Sequence, residues 1–375
     1  MRRILLSLAL VLLLGCAQGT SEDRIKYGWI GPLTGGASTF GETGYNAAKI
    51  AVDELNADGG INDRLIDLIA EDGKCDGATA VTAAHKLIDI DRVDVIFGGH
   101  CSTESMAIQP VAAENEVFQL ASTTSTPAYA GKAKYALRTT PPSSYVMKIQ
   151  AQEALNRGIN KVWILYEQKD YPLGVITAFS QYYEALGGKI LAKDSFPPGT
   201  IDLKTQLEKF QQSDADALMV GVSNQDPAVI LFRQAKELNI TKPILGETLL
   251  ISKATWDRAL DAMPSTAWGV TTHTDPNANE LTKSFLSRYR SQYGEFGVDP
   301  ALVAESYDAV MIYSDALKKC GDDKDCIKAN ILSIKNRESA VGTLSYTAEG
   351  EPSFDLAVVR IVDGKPVFDA VGEKR

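Results

Sequence analysis

The sequence has few of the features that mark nucleic-acid or metal binding. It contains no basic run long enough to follow a phosphate backbone, and its formal net charge is −10, which argues against a polyanionic partner. Its three histidines, His85, His100 and His273, are scattered, and no two cysteines have the CxxC spacing of a metal site. We therefore expect no nucleic-acid partner, no bound metal and no other cofactor.

The apolar run near the start of the sequence is too short to span a bilayer comfortably. It extends from Ile4 to Leu14 after two arginines and is typical of a secretory signal. The run ends in LLGC, which resembles the bacterial lipobox and predicts cleavage before Cys16, with a lipid on that thiol. We expect residues 1–15 to be a signal peptide and residues 16–23 a lipidated tether, which would place the protein in the periplasm or at the cell surface, anchored to a membrane. An ordinary signal peptide cleaved a few residues later is the alternative.

Five cysteines are an odd number for a secreted chain. If Cys16 carries lipid, an even set of four remains in an oxidising compartment, where disulfides are the default. Cys320 and Cys326 bracket a short polar loop, GDDKD, which can close only locally. The remaining pair is then Cys75 with Cys101.

The length and the alternation of patterns predict two α/β domains. Roughly 350 residues after processing exceed what one hydrophobic core usually serves. From Ile25 onward, short β-branched runs alternate with helical patterns, which indicates a parallel sheet covered by helices on both faces. A second series of the same kind starts after Thr140-Pro141-Pro142, and the segment DLAVVRIVDGKPVF predicts a closing hairpin with its turn at Asp363 and Gly364. No low-complexity linker separates the two series, so we expect packed lobes joined by several short crossings.

The order of several motifs resembles that of one protein family. The segments GPLTG, EDGKCD, GGHCSTES, STTSTP, EQKDYPLG and ILGE follow one another as in the periplasmic leucine/isoleucine/valine-binding proteins, the type I solute-binding receptors of ABC importers. The resemblance covers essentially the whole mature chain. It implies two doubly wound parallel-sheet lobes joined by a three-stranded hinge, with lobe 1 formed by residues 24–141 and 272–342 and lobe 2 by residues 142–271 and 343–375. It further implies a protein without enzymatic activity, which captures a small amino acid, branched-chain or another neutral one, and delivers it to the permease subunits of an importer.

The resemblance and the chemistry of an amino acid together identify candidate contacts. Ser102 stands at the predicted start of a helix, where free N–H groups and the helix dipole favour a carboxylate, although it could simply cap that helix. The family pattern maps an ammonium-accepting carbonyl onto Thr123, a hydroxyl contact onto Ser125, and the carboxylate that pairs with the ligand ammonium onto Glu247. The STTSTP loop is richer in hydroxyls than is usual in the branched-chain binders, which leaves the identity of the amino acid open.

Three further positions follow from the family pattern. Tyr171 matches a tyrosine of lobe 2 that packs over the ligand, and Phe40 matches an aromatic residue of lobe 1. Both side chains could instead be ordinary core or loop packing residues. Asn224 falls where the branched-chain binders carry an aromatic residue, and Ser223 or Gln225 is the alternative lining residue.

Rival functions remain to be weighed against this hypothesis. The same scaffold binds short amides including urea, or aromatic acids, and it also serves as a sensory receptor. A hydrolase would use Cys101 or Ser102 as nucleophile and His100 as base, but adjacent side chains at a strand end point in opposite directions and no GxSxG elbow is present.

Overall fold

A computed structural model gives the fold and describes residues 24–129, 131–362 and 365–370. The expected signal peptide, the lipidation site at Cys16 and the turn residues Asp363 and Gly364 lie outside the described residues. In the described part of the chain, no helix is both long and apolar enough to cross a membrane.

The first lobe is built on a parallel sheet of five strands. Its elements in chain order are β1 (Ile25–Gly31), α1 (Ser38–Ala57), β2 (Ile66–Asp72), α2 (Gly77–His85), β3 (Val95–Gly98), α3 (Ser102–Glu114), β4 (Phe118–Ala121) and β5 (Ala136–Arg138). The strand order is β2-β1-β3-β4-β5, and every pairing is parallel. Strands β3 and β4 are buried at every position, as expected for strands covered by helices on both faces.

The second lobe repeats this plan with a larger sheet. Its elements are α4 (Ser143–Asn156), β6 (Lys161–Glu167), α5 (Asp170–Ala185), β7 (Lys189–Phe196), α6 (Lys204–Gln212), β8 (Ala217–Gly221), α7 (Gln225–Glu237), β9 (Ile244–Glu247), α8 (Lys253–Ala259) and β10 (Trp268–Thr272). Pro172 falls within the first turn of helix α5, where a proline is tolerated.

The chain then returns to the first lobe before it ends on the second. The elements of the return are α9 (Glu280–Tyr293), α10 (Pro300–Cys320), α11 (Lys324–Leu332), β11 (Arg337–Ser339), β12 (Gly342–Tyr346) and β13 (Pro352–Ser353). Strands β14 (Leu356–Val362) and β15 (Lys365–Ala370) complete the second sheet, whose order is β15-β14-β10-β9-β8-β6-β7. They pair antiparallel with each other, as the predicted hairpin requires.

Each sheet has an apolar core on both faces, which confirms the predicted fold class of two α/β lobes. In the first lobe, α1 and α10 pack on one face of the sheet, where Tyr27 and Phe97 meet edge to face with their ring centroids 5.1 Å apart. Helices α2 and α3 cover the other face. Two further cores enclose the second sheet.

Within the described residues, three segments cross between the lobes, near Thr140, near His273 and between Phe354 and Leu356. The third crossing comes later than the expected bound at residues 342/343. The reason is that β12 and β13 belong to lobe 1: Tyr346 and Phe354 are buried in its core, and the Tyr346 hydroxyl donates to the carbonyl of Arg138 across 2.7 Å.

Both predicted disulfides are formed. The Cα atoms of Cys75 and Cys101 are 5.4 Å apart, and those of Cys320 and Cys326 are 5.7 Å apart. The first bridge ties the loop after β2 to the start of α3, and the second closes the turn between α10 and α11.

A buried ion pair at the end of β5 fixes the loop that follows β4. The Arg138 side chain is 2% exposed, and its guanidinium donates to both carboxylate oxygens of Glu351, across 2.7 Å and 2.6 Å. Its remaining nitrogen donates to the carbonyls of Thr126, at 2.7 Å, and Thr124, at 3.2 Å. Arg138 thus holds the STTSTP segment in place through its main chain.

We expect Glu351→Gln to lower the free energy of unfolding by about 3 kcal/mol, because it leaves the buried guanidinium without its countercharge. Urea denaturation at neutral pH measures this difference. Glu338→Gln, which changes an exposed carboxylate on the neighbouring strand β11, serves as the control and is expected to stay within about 0.5 kcal/mol. Equal effects of the two substitutions would contradict the role given to Arg138.

Candidate ligand site between the lobes

A cleft of about 670 Å³, which includes the solvent at its mouth, lies between the carboxyl ends of the two sheets. This is where parallel α/β sheets bind ligands, because every strand leads there into a loop and a helix N-terminus. All but one of the predicted contact residues line it: Phe40, Ser102, Thr123 and Ser125 from the first lobe, and Tyr171 and Glu247 from the second. The structure therefore brings together residues that are far apart in the sequence.

Asn224 does not line the cleft. Its side-chain oxygen accepts from the N–H of Asp226 across 2.9 Å and caps α7, so the amide is used within its own segment. Ser223, the adjacent alternative, lines the cleft instead.

The first turn of α3 presents free donors to the cleft. Cys101 is the N-cap residue, so Ser102 is the first helical residue and its hydroxyl is not the cap. Ser102 is buried, and its Oγ has no hydrogen-bond partner among the described residues. The N–H groups of Ser102 and Thr103 have no intrahelical acceptor at this position, and both residues line the cleft. The arrangement suits an anion.

Glu104 holds this turn in place, and the sequence analysis missed it. Its carboxylate accepts from the N–H of Cys101 and from that of Cys75, both across 2.9 Å. Burial raises the pKa of Glu104 to about 7, against the effect of these N–H donors. The signal was present in the sequence, since a glutamate three residues after a helix start forms a capping box.

His100 and Cys101 are not arranged for nucleophilic catalysis. The Cys101 sulfur is bonded to Cys75, and burial lowers the pKa of His100 to about 3. The imidazole packs against the Phe40 ring with the centroids 4.1 Å apart. His100 is therefore a neutral packing residue in the wall of the cleft.

The loop after β4 contributes the Thr123 and Ser125 positions. The Thr123 hydroxyl donates to the carbonyl of His100, and the carbonyl of Ser125 accepts from the N–H of Ser143 across 2.7 Å. These contacts fix the loop against both its own lobe and α4, and they leave the Thr123 carbonyl and the Ser125 hydroxyl for the roles assigned to them.

The carboxyl group of Glu247 is buried, and no lysine or arginine of the described residues forms an ion pair with it. It ends β9, the residue is 6% exposed, and its Oε2 has no hydrogen-bond partner in the described part of the chain. Burial alone raises the pKa of Glu247 to about 8. Such a group is well suited to receive a positively charged donor, whose charge would offset the cost of burying an ionised carboxylate.

Lys169 is a second cleft residue that the sequence analysis missed. It is the N-cap residue of α5, beside Tyr171, and it lines the cleft from the second lobe. A single lysine in a polar loop carries no sequence signal that separates it from a solvated surface charge.

Comparison with known proteins gives a consistent result. A family model described as periplasmic binding protein matches residues 24–366. The Leu/Ile/Val-binding protein BraC3 of Rhizobium johnstonii is 26% identical, over 87% of this chain and 88% of its own length. A leucine-, isoleucine-, valine-, threonine- and alanine-binding protein of Pseudomonas aeruginosa is 22% identical, over 90% of each chain.

Solved structures share the architecture over nearly the whole chain. The leucine binding protein LivK of Thermotoga maritima is 26% identical and has a TM-score of 0.83, over 92% of this chain and 98% of its own. A solute binding protein from R. palustris in complex with benzoate has the same TM-score of 0.83 at 16% identity, over 93% of this chain and 96% of its own. The second likeness concerns the fold alone.

Removal of the Glu247 charge is expected to stabilise the ligand-free protein at alkaline pH. The pKa of this group is higher in the folded protein, at about 8, than its ordinary value of 4.5, so the wild-type protein loses stability as the pH rises between these values. Glu247→Gln should raise the free energy of unfolding by about 1–3 kcal/mol at pH 8.5 and much less at pH 5.

Urea denaturation of both proteins at the two pH values measures this effect. Glu184→Gln removes an exposed carboxylate from α5 of the same lobe and should have no pH-dependent effect of this size. A Glu247→Gln effect that is equal at pH 5 and pH 8.5 would contradict the assignment.

Proposed function

The chain belongs to the periplasmic binding protein family, and we propose that it captures a small neutral amino acid between its lobes and delivers it to the permease of an ABC importer. Like the other members of this family, it is a solute-binding protein and not an enzyme. The observation that carries the proposal is the pair of unsatisfied groups on opposite walls of one cleft, Ser102 on lobe 1 and Glu247 on lobe 2.

The ligand carboxylate is assigned to the first lobe. The hydroxyl of Ser102 and the free N–H groups at the start of α3 donate to it, and the positive end of the helix dipole lies against it. Because Glu104 already satisfies the N–H of Cys101 and fixes the turn, these donors are held in position before the ligand arrives, which reduces the entropy cost of binding.

The ligand ammonium is assigned to Glu247, with help from the Thr123 carbonyl and the Ser125 hydroxyl. Ion pairing would lower the pKa of Glu247 from its raised value, so binding releases a proton when the free carboxyl is protonated. Tyr171 and Phe40 cover the ligand from the two lobes. Each lobe holds one end of the ligand, so the ligand binds the closed arrangement better than the open one and shifts the population towards closure.

The amino-acid assignment is supported by what the relatives bind. The BraC3 relative and the LivK structure carry names that refer to leucine, isoleucine and valine or to leucine alone. An aromatic acid such as benzoate has no ammonium and would leave the Glu247 carboxylate buried without a cation, which disfavours that ligand class here.

The lipid anchor belongs to the same proposal. The lipobox-like LLGC supports a diacylated cysteine at position 16, and a short tether from there to β1 would hold the lobes close to the membrane that contains the permease. Stable anchoring needs more than one acyl chain, which the diacylglyceryl group provides.

A ligand screen tests the binding function. We expect at least one neutral amino acid to raise the melting temperature of the purified mature protein, since a ligand at about a hundred times its Kd stabilises by ~2.7 kcal/mol. Glu247→Gln should weaken that amino acid by at least tenfold in calorimetric titration, because the charge-assisted bond is worth about 1.5–3 kcal/mol. Stabilisation by amides or aromatic acids alone, with no effect of any amino acid, would refute the proposal.

Fractionation of cells tests the anchor. The full-length chain expressed in a bacterial host should sediment with the membranes and incorporate labelled palmitate, whereas Cys16→Ser should abolish the labelling and release the protein from the membrane fraction. Membrane association and labelling that persist in Cys16→Ser would place the lipid elsewhere.

A further inference from the structure

Helix α10 contains a buried acid, Glu305, to which the described residues offer little hydrogen bonding. Asp299 caps the helix through its side chain, and Asp308 accepts two backbone N–H groups from the segment before β12, across 2.9 Å and 3.0 Å. Glu305 lies between them, is fully buried, and has no well-formed hydrogen bond to either carboxyl oxygen among the described residues. Of these three acids, Glu305 alone lacks a structural role for its carboxyl group.

Glu305 lies directly behind the wall of the cleft. Leu302, one turn earlier in α10, lines the cleft. Thr140, at the first crossing, also lines the cleft, and its hydroxyl approaches the Glu305 carboxyl group. The Thr139 hydroxyl donates to the main-chain carbonyl of Glu305 across 3.1 Å, which fixes this turn against the first crossing. Glu247 is close enough for its charge to act on Glu305.

The cleft therefore has an apolar side with a polar group behind it. Pro141, Val146, Leu249 and Leu302 line it together with the polar residues at which we place the ligand carboxylate and ammonium. A ligand held at Ser102 and Glu247 would direct its side chain towards these apolar residues. An aliphatic stem fits that surface, and a polar group at the end of the stem would meet Thr140, which has the Glu305 carboxyl group directly behind it.

The acids around Glu305 favour an uncharged polar group at the end of the ligand side chain. Burial raises the pKa of Glu305 well above its usual value, and the neighbouring acids Asp299, Asp308 and Glu247 raise it further. A protonated carboxyl group offers one O–H donor and one carbonyl acceptor. One ammonium group on the ligand is then enough for Glu247, and no second cation is needed.

We propose that Glu305 is a specificity residue that selects neutral amino acids whose side chain ends in a hydroxyl or a carboxamide over their apolar isosteres. The inference rests on the proposed capture of an amino acid between Ser102 and Glu247. It adds a second polar anchor, at the end of the side-chain pocket.

Two isosteric ligand pairs test the selection with shape held constant: asparagine against leucine, and threonine against valine. Calorimetric titration of the wild-type protein should give at least one polar member a Kd tenfold or more below that of its partner. Glu305→Met and Glu305→Leu should reduce this ratio to about twofold or less, mainly by weakening the polar ligand. Glu305→Gln, which keeps one donor and one acceptor, should retain most of the preference.

The control is Asp315→Asn on the same helix, where the carboxylate pairs with Arg337 on the outer side of the lobe; it should leave the ratio unchanged. The apolar variants should melt at or above the wild-type temperature, because they replace an unsatisfied buried carboxyl group. A failure of both to fold would show that the carboxyl group is structural and would overturn the inference.

The remaining outcomes separate this inference from the function on which it rests. If the wild-type protein binds leucine and valine at least as tightly as their polar isosteres, or if the preference survives in Glu305→Met, amino-acid capture stands and the role of Glu305 is wrong. If no amino acid binds to the wild-type protein, the proposed function fails and the inference fails with it.

Discussion

The parallel pairing of the strands determines where a site can form in this molecule. In each lobe the parallel strands end at the same edge, so the loops that follow β3, β4, β8 and β9 meet at one cleft although they are far apart in the sequence. The polar residues at these strand ends are thereby removed from the apolar cores and gathered around the ligand position. The three crossings leave the two edges opposed, and Ser102 and Glu247 face the cleft from different lobes.

This arrangement lowers the stability of the ligand-free protein, because it buries two acids beside the cleft that have no countercharge among the described residues. Glu247 and Glu305 are both buried, and burial raises the pKa of each. A core without function would replace such groups with apolar side chains at little loss or with a gain in stability. Their presence next to a cleft is understandable if part of the stability of the ligand-free protein is exchanged for affinity, since a ligand ammonium at Glu247 and a neutral polar group near Glu305 would relieve the same penalty that weakens the empty fold.

The sequence predicts the local features well and the long-range ones poorly. The strand-helix alternation, the Cys320–Cys326 disulfide and the strand-end positions of Ser102, Thr123 and Glu247 follow from patterns within short windows, and the Cys75–Cys101 disulfide follows by elimination. The Arg138–Glu351 ion pair links residues separated by 213 positions, and no local sequence pattern predicts it. The end of lobe 1 is hidden from the sequence for a similar reason. Strands β12 and β13 are short, and only the packing of Tyr346 and Phe354 in the core assigns them to lobe 1. Glu305 lies in a helix that is buried at every position from Ala301 to Val310, and this burial is a property of the assembled lobes that no short window of sequence shows.

The segment GGHCSTES illustrates why residue types alone do not establish chemistry. It contains a histidine, a cysteine, two serines and a glutamate, the usual components of a hydrolytic site. In the folded protein the cysteine is bonded to Cys75, the imidazole is packed against Phe40, and Glu104 accepts two main-chain N–H groups. Each of these contacts removes one component from catalysis and at the same time fixes the first turn of α3. Because Cys101 takes the cap position and Glu104 satisfies its N–H, the hydroxyl of Ser102 and the adjacent N–H groups have no partner among the described residues, and the turn is suited to the ligand carboxylate that we propose there.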